Sequence, residues 1–96
     1  MDPNILNTKI NKDYFVIFGL SYCQYCKNAK IFLKENNQKY KYYEIDQFYN
    51  TFLNTLKQTQ HKYPNINFDI KHKTFPIIFY KGKFIGGYTD LLKYKI

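Results

Sequence analysis

The chain has 96 residues, which predicts one small domain spanning 1–96. Its 45% hydrophobic and 21% aromatic content excludes a disordered chain, and no apolar run approaches the length of a membrane span. Fifteen Lys, no Arg and seven acidic residues give a net charge of +8. No charged-then-apolar leader opens the sequence, so the expected compartment is the reducing cytoplasm.

In chain order, Asn4–Lys12 is predicted as one or two helical turns. Tyr14–Phe18 is an unbroken apolar run of strand formers, expected as a central strand buried on both faces. Gly19 ends it. From Cys23 to Asn36 the period changes to helical, with Cys26, Ala29, Phe32 and Leu33 on one face. Tyr40–Ile45 reads as a second strand. A helical crossover of this length predicts that the two strands are parallel. Asp46 is expected to cap a second helix whose apolar stripe is Phe48, Phe52 and Leu56. Lys62–Lys73 contains Pro64 and is expected as a loop or short insert. Phe75–Tyr80 and Phe84-Ile85 flank the turn Lys81-Gly82-Lys83 as a hairpin, and Tyr88–Ile96 is the last helix. The prediction is an α/β fold with a central mixed four-stranded sheet, a parallel pair plus an antiparallel hairpin, flanked by helices.

Two cysteines, Cys23 and Cys26, are the whole cysteine complement. A loop this short contributes little as a staple, because the entropy that a disulfide removes grows with loop length. Redox and metal chemistry are the alternatives. Zinc needs three or four ligands, and only His61 and His72 remain, with ten residues between them; both are expected as solvated surface residues. The redox reading has a physical basis. A thiol at a helix N-terminus faces free amides and the positive end of the helix dipole, both of which favour the thiolate nucleophile. A second cysteine one turn on can attack a mixed disulfide formed on the first.

Two further segments stand out. Thr74-Phe75-Pro76 precedes the third strand, where a cis proline would free neighbouring backbone groups for an extended ligand, although an ordinary strand-opening proline fits equally well. Gly86-Gly87-Tyr88-Thr89-Asp90 allows close backbone approach, with Thr89 or Asp90 capping the last helix.

Taken together, F-G-x-S-x-C-x-Y-C, then T-x-P, then I-G-G-Y-T-D resembles the dithiol glutaredoxins, especially the small bacterial and viral ones, over roughly Tyr14 to Leu92. The resemblance implies a thioredoxin-like fold. It implies glutathione as cosubstrate, and protein disulfides or glutathionylated proteins as substrates. Cys23 would be the nucleophile, Cys26 the resolving thiol, and Tyr25 would flank the glutathione sulfur. Pro76 would be cis after Thr74, and the backbone of Phe75 would pair with the ligand. Gly87, Thr89 and Asp90 would hold the γ-glutamyl end, with the carboxylate on backbone amides and the ammonium on Asp90. Gln24 stands where the family usually has Pro or Ser, a change that accompanies a [2Fe–2S] cluster between subunits in some relatives. Leu20 replaces the usual basic residue, leaving Lys27, Lys71 and Lys73 as candidate substitutes. Alternatives are a disulfide reductase not using glutathione, and an iron–sulfur carrier.

The lysines are spread along the chain, and arginine, the preferred reader of guanine edges, is missing, so no specific nucleic-acid partner is expected. Membrane association is not expected either, and the chain is expected to be a monomer. Lys, Asn, Ile, Phe and Tyr fill 56 of the 96 positions, a bias that matches AT-rich coding and accounts for part of the lysine excess.

Overall fold

In a computed structural model, which describes residues 1–94, four helices flank one four-stranded sheet. Helix α1 (Pro3–Ile10) begins at Asp2, whose carboxylate accepts the Ile5 amide at 2.9 Å, with Pro3 preset for the first turn. Strand β1 (Phe15–Gly19) is buried along its whole length, as its unbroken apolar run requires. Helix α2 (Gln24–Glu35) and strand β2 (Tyr40–Glu44) complete the parallel crossover, with Phe15 opposite Tyr40 and Gly19 opposite Glu44.

Helix α3 (Tyr49–Lys62) buries Phe52, Leu56 and Thr59. It departs from expectation at its start. Asp46 does not cap it; Asp46–Phe48 winds as a 3-10 turn, and Phe48 is 36% exposed rather than part of the stripe. The cause is long-range: the Asp46 carboxylate accepts from the backbone amide and the hydroxyl of Ser21, across 25 positions of sequence. The segment after α3 holds a 3-10 turn at Pro64–Ile66 and buries Ile66 and Phe68.

Strands β3 (Ile77–Tyr80) and β4 (Lys83–Gly86) form the hairpin, and the sheet order is β2-β1-β3-β4. Their turn places both Lys81 and Gly82 at positive φ, 50° and 80°, the backbone sense that suits a two-residue hairpin. Helix α4 spans Tyr88–Lys93. The last two positions of the predicted helix, 95 and 96, lie outside the described residues.

The sheet divides the core in two. Val16, Phe18, Ile77 and Phe79 face α1 and α3; Phe15, Ile17 and Ile78 face α2 and α4. Phe18 is the hub of the first layer, with ring centroids 5.1 Å from Phe52, 5.5 Å from Tyr43 and 6.0 Å from Phe79. Several lysines lie over tyrosine rings: Lys30 is 4.1 Å from the Tyr42 centroid, and Lys9 and Lys39 are each 4.7 Å from those of Tyr43 and Tyr14. Each such pair contributes about 0.5–1 kcal/mol at an exposed site. Part of the lysine excess is therefore structural. Among the described residues, no helix is long and apolar enough to cross a membrane.

Candidate active site

The end of β1 and the start of α2 bring the cysteine pair to the C-terminal end of an interior strand. Cys23 is the residue that caps α2, and its Sγ accepts the Cys26 amide at 3.2 Å. Cys23 is partly exposed, Cys26 is fully buried, and the two are joined as a disulfide with Cα atoms 5.2 Å apart. The unequal exposure has a chemical meaning: an outside partner can reach only Cys23, while Cys26 can reach only Cys23.

The loop before Cys23 is fixed from two sides. Asp46 holds Ser21, and these hydrogen bonds keep its carboxyl below the usual carboxylate range. Tyr42, from β2, donates its hydroxyl to the Leu20 carbonyl at 2.9 Å. Burial, with Glu44 and Asp46 nearby, pushes this phenol up to about 12, so it stays protonated and remains a donor. Gly19 completes the support. A Cβ there would fall 2.7 Å from Cys26 Sγ and would also collide with the Tyr42 hydroxyl.

Next to Cys23 a cleft of about 500 Å³ is lined by Tyr25, His72, Thr74, Phe75, Pro76, Gly87, Tyr88, Thr89 and Asp90. Tyr25, Thr74, Phe75, Pro76, Gly87, Thr89 and Asp90, all expected to contact a ligand, thus lie in one cleft. The Phe75-Pro76 bond is cis, as the resemblance implies. The Phe75 carbonyl is 3.8 Å from Cys23 Sγ, which sets the sulfur against the cleft wall. The Phe75 ring packs towards α3, with centroids 6.3 Å from both Tyr49 and Phe52, and leaves the cleft open. Tyr25 is 63% exposed, and its ring is 6.0 Å from that of Tyr88. Asp90 caps α4 by accepting the Gly87 amide at 3.0 Å. One Asp90 oxygen and the Gly87 amide are therefore already engaged, and Gly87 offers the cleft an open face rather than a donor.

Two features differ from expectation. Leu20 is 7% exposed and packs in the core, and none of Lys27, Lys71 and Lys73 is among the described residues that line the cleft. His72 is not a solvated surface residue. Its ring packs edge-on against Phe84 at 5.1 Å and lines the cleft. Its place two residues before Thr74 is the only sequence signal, and its partners in β4 explain the burial. Tyr88, within the Gly86–Asp90 segment, also lines the cleft, a role the motif alone does not mark. Among the described residues, no three His, Cys, Asp or Glu side chains converge to hold a metal ion.

A family model described as glutaredoxin matches residues 15–85. A probable glutaredoxin of Acanthamoeba polyphaga mimivirus is 42% identical over 81 residues, covering 83% of this chain and 76% of the viral protein. Glutaredoxin-2 of Schizosaccharomyces pombe is 33% identical over 84 residues, covering 88% and 69%. Among solved structures, a buckwheat glutaredoxin–glutathione complex superposes with a TM-score of 0.70 at 22% identity, covering 95% of this chain and 76% of that one. A dithiolic glutaredoxin of Trypanosoma brucei brucei gives a TM-score of 0.64 at 26% identity, covering 92% and 82%. The fold is thus the expected thioredoxin-like one, the Cys23/Cys26 pair is that of a thiol oxidoreductase, and the chain belongs to the glutaredoxin family.

Proposed function

We propose that the protein is a glutathione-dependent dithiol oxidoreductase that reduces glutathione mixed disulfides and protein disulfides. One observation carries this reading: a partly exposed Cys23, capping α2 beside the cleft, with a buried Cys26 one turn behind it. In the reduced protein the Cys26 amide and the α2 dipole favour thiolate at Cys23. That thiolate attacks the glutathionyl sulfur of a mixed disulfide. The Cys23–glutathione disulfide forms, the old S–S bond breaks, and the substrate leaves as thiolate and takes up a proton. A second glutathione thiolate then attacks the glutathionyl sulfur, releasing glutathione disulfide and restoring Cys23. With a protein disulfide the adduct forms on Cys23, Cys26 thiolate displaces the substrate, and the resulting Cys23–Cys26 disulfide is reduced by two glutathiones.

Thr74, the Phe75 backbone and Pro76 would align the cysteinyl part of the ligand, with Tyr25 beside its sulfur. Gly87, Thr89 and Asp90 would take the γ-glutamyl end, with the free Asp90 oxygen on the ammonium. A monomer working in a reducing cytoplasm suits this chemistry. The test is glutathione-dependent reduction of a mixed disulfide by wild type, Cys23→Ser and Cys26→Ser. Cys23→Ser should be inactive. Cys26→Ser should keep turnover on the mixed disulfide and lose reduction of protein disulfides. Equal loss in both variants on the mixed disulfide would overturn the assignment, and turnover driven only by a separate reductase would favour a protein that does not use glutathione.

A further inference from the structure

Strand alternation turns Phe15, Ile17 and Gly19 of β1 towards α2, with Tyr42 of β2 packed on the same layer. Cys26, the first buried residue of α2, lies over Gly19. A Cβ at Gly19 would fall 2.7 Å from Cys26 Sγ and would also touch the Tyr42 hydroxyl. The phenolic oxygen and the buried sulfur therefore share the space that the glycine leaves empty. What Tyr42 can do there depends on where its one hydrogen goes. That hydrogen is donated to the Leu20 carbonyl at 2.9 Å, a group that can only accept. Burial, with Glu44 and Asp46 nearby, keeps the phenol protonated, and Lys30 of α2 lies over its ring. The oxygen thus turns lone pairs, not a donor, towards Cys26.

Reduction of the Cys23–Cys26 bond frees Cys26 Sγ and gives it a hydrogen to donate. We infer that Tyr42 is a positioning residue for Cys26: its hydroxyl oxygen accepts from the reduced Cys26 thiol and holds that cysteine in the thiol form. Burial acts in the same direction, because a buried thiolate is disfavoured. To close the pair, Cys26 must first give its proton to water. Its sulfur then attacks Cys23 Sγ, the Cys23–Cys26 bond forms, and the bond from Cys23 to the substrate breaks; the substrate leaves as thiolate and takes up a proton. Tyr42 therefore slows closure and lengthens the life of the adduct on Cys23, which leaves time for an outside thiol to resolve it. The inference uses the thiol pair alone and stands apart from the glutathione reading.

Nuclear magnetic resonance of reduced protein labelled at the cysteine β-carbon reads the titration of each thiol separately. Below the titration midpoints, Tyr42→Phe should raise the Cys26 thiolate fraction about five-fold over wild type, within what one lost hydrogen bond allows. Ser21→Ala is the control. It loosens the same loop by removing one of the two bonds to Asp46 and spares the Tyr42 hydroxyl, so Cys26 should titrate as in wild type. Single-turnover reaction with the disulfide of 2-mercaptoethanol then gives the rate of closure. Tyr42→Phe should close about two- to three-fold faster, less than the gain in thiolate, because a less basic thiolate is a weaker nucleophile. A Cys26 thiolate fraction that is unchanged or lower in Tyr42→Phe overturns the inference, as does closure that is no faster. A Ser21→Ala protein that matches Tyr42→Phe also overturns it, since loop support alone would then account for the effect. Neither readout contains glutathione, so failure of the glutathione assay above leaves both standing.

Discussion

Gly19→Ala offers a sharp test of how the site is supported. Gly19 lies in extended β1 without positive φ, so alanine meets no backbone penalty and the whole effect is steric. The new methyl would sit 2.7 Å from Cys26 Sγ and 2.9 Å from Tyr42 Cε1, about 1 Å inside a normal contact of about 3.5–4.0 Å. Cys26 is fully buried in packed α2 and cannot retreat freely. Tyr42 can swing outward, but only by giving up its bond to the Leu20 carbonyl, which costs about 1 kcal/mol. Overpacking adds about 1–3 kcal/mol. A total of about 2–4 kcal/mol lowers Tm by at least about 8 °C in a domain of this size. Thermal and urea unfolding of Gly19→Ala, Tyr42→Phe and the double variant would measure it. With the hydroxyl already gone, Gly19→Ala should cost about 1 kcal/mol less. A Gly19→Ala protein melting within about 2 °C of wild type would refute the steric argument, because so small a shift leaves too little energy for the clash. Equal costs in both backgrounds would refute the part assigned to Tyr42.

Two other expectations follow from the same contacts. Asp46 has a folded-state pKa below its unfolded value of about 3.9, so its stabilisation is present in full above about pH 4 and is lost as pH falls through the depressed value. The stability gap between wild type and Asp46→Asn should narrow on acidification, as read from urea midpoints; a gap that widens below about pH 4 contradicts the hydrogen bonds to Ser21 as its source. Phe52→Ala removes a ring that is 1% exposed and touches both Phe18 and Phe75, so it should cost about 3–5 kcal/mol and weaken substrate binding through Phe75. An unchanged urea midpoint would show that the first core layer closes over the gap.

Local pattern explains what the sequence makes legible. The Tyr14–Phe18 run marks the doubly buried strand, and the spacing of Cys26, Ala29 and Leu33 marks the buried face of α2. Cys23 sits where a helix cap belongs, so its chemistry is readable from its neighbours. Failures occur where a residue's partner is distant. Asp46 has the composition of a cap, yet Ser21, 25 positions earlier, claims its carboxylate. His72 looks like a surface histidine until β4 and the start of α4 bring Phe84 and Gly87 alongside. Leu20 shows that the usual basic residue is missing, but only the fold shows that its side chain is spent on the core.

The disulfide and the cleft also differ in how they are assembled. Cys23 and Cys26 are three positions apart, so an unfolded chain keeps them in reach of each other. The cleft draws on residue 25, on 72 and 74–76, and on 87–90, which meet only when the hairpin has docked against β1. Denaturation therefore separates two properties that the native protein joins. The melted chain retains a dithiol able to exchange electrons with any disulfide it meets, and loses the means to choose among them. Selectivity in this protein is a property of tertiary structure, whereas reactivity begins with four consecutive residues.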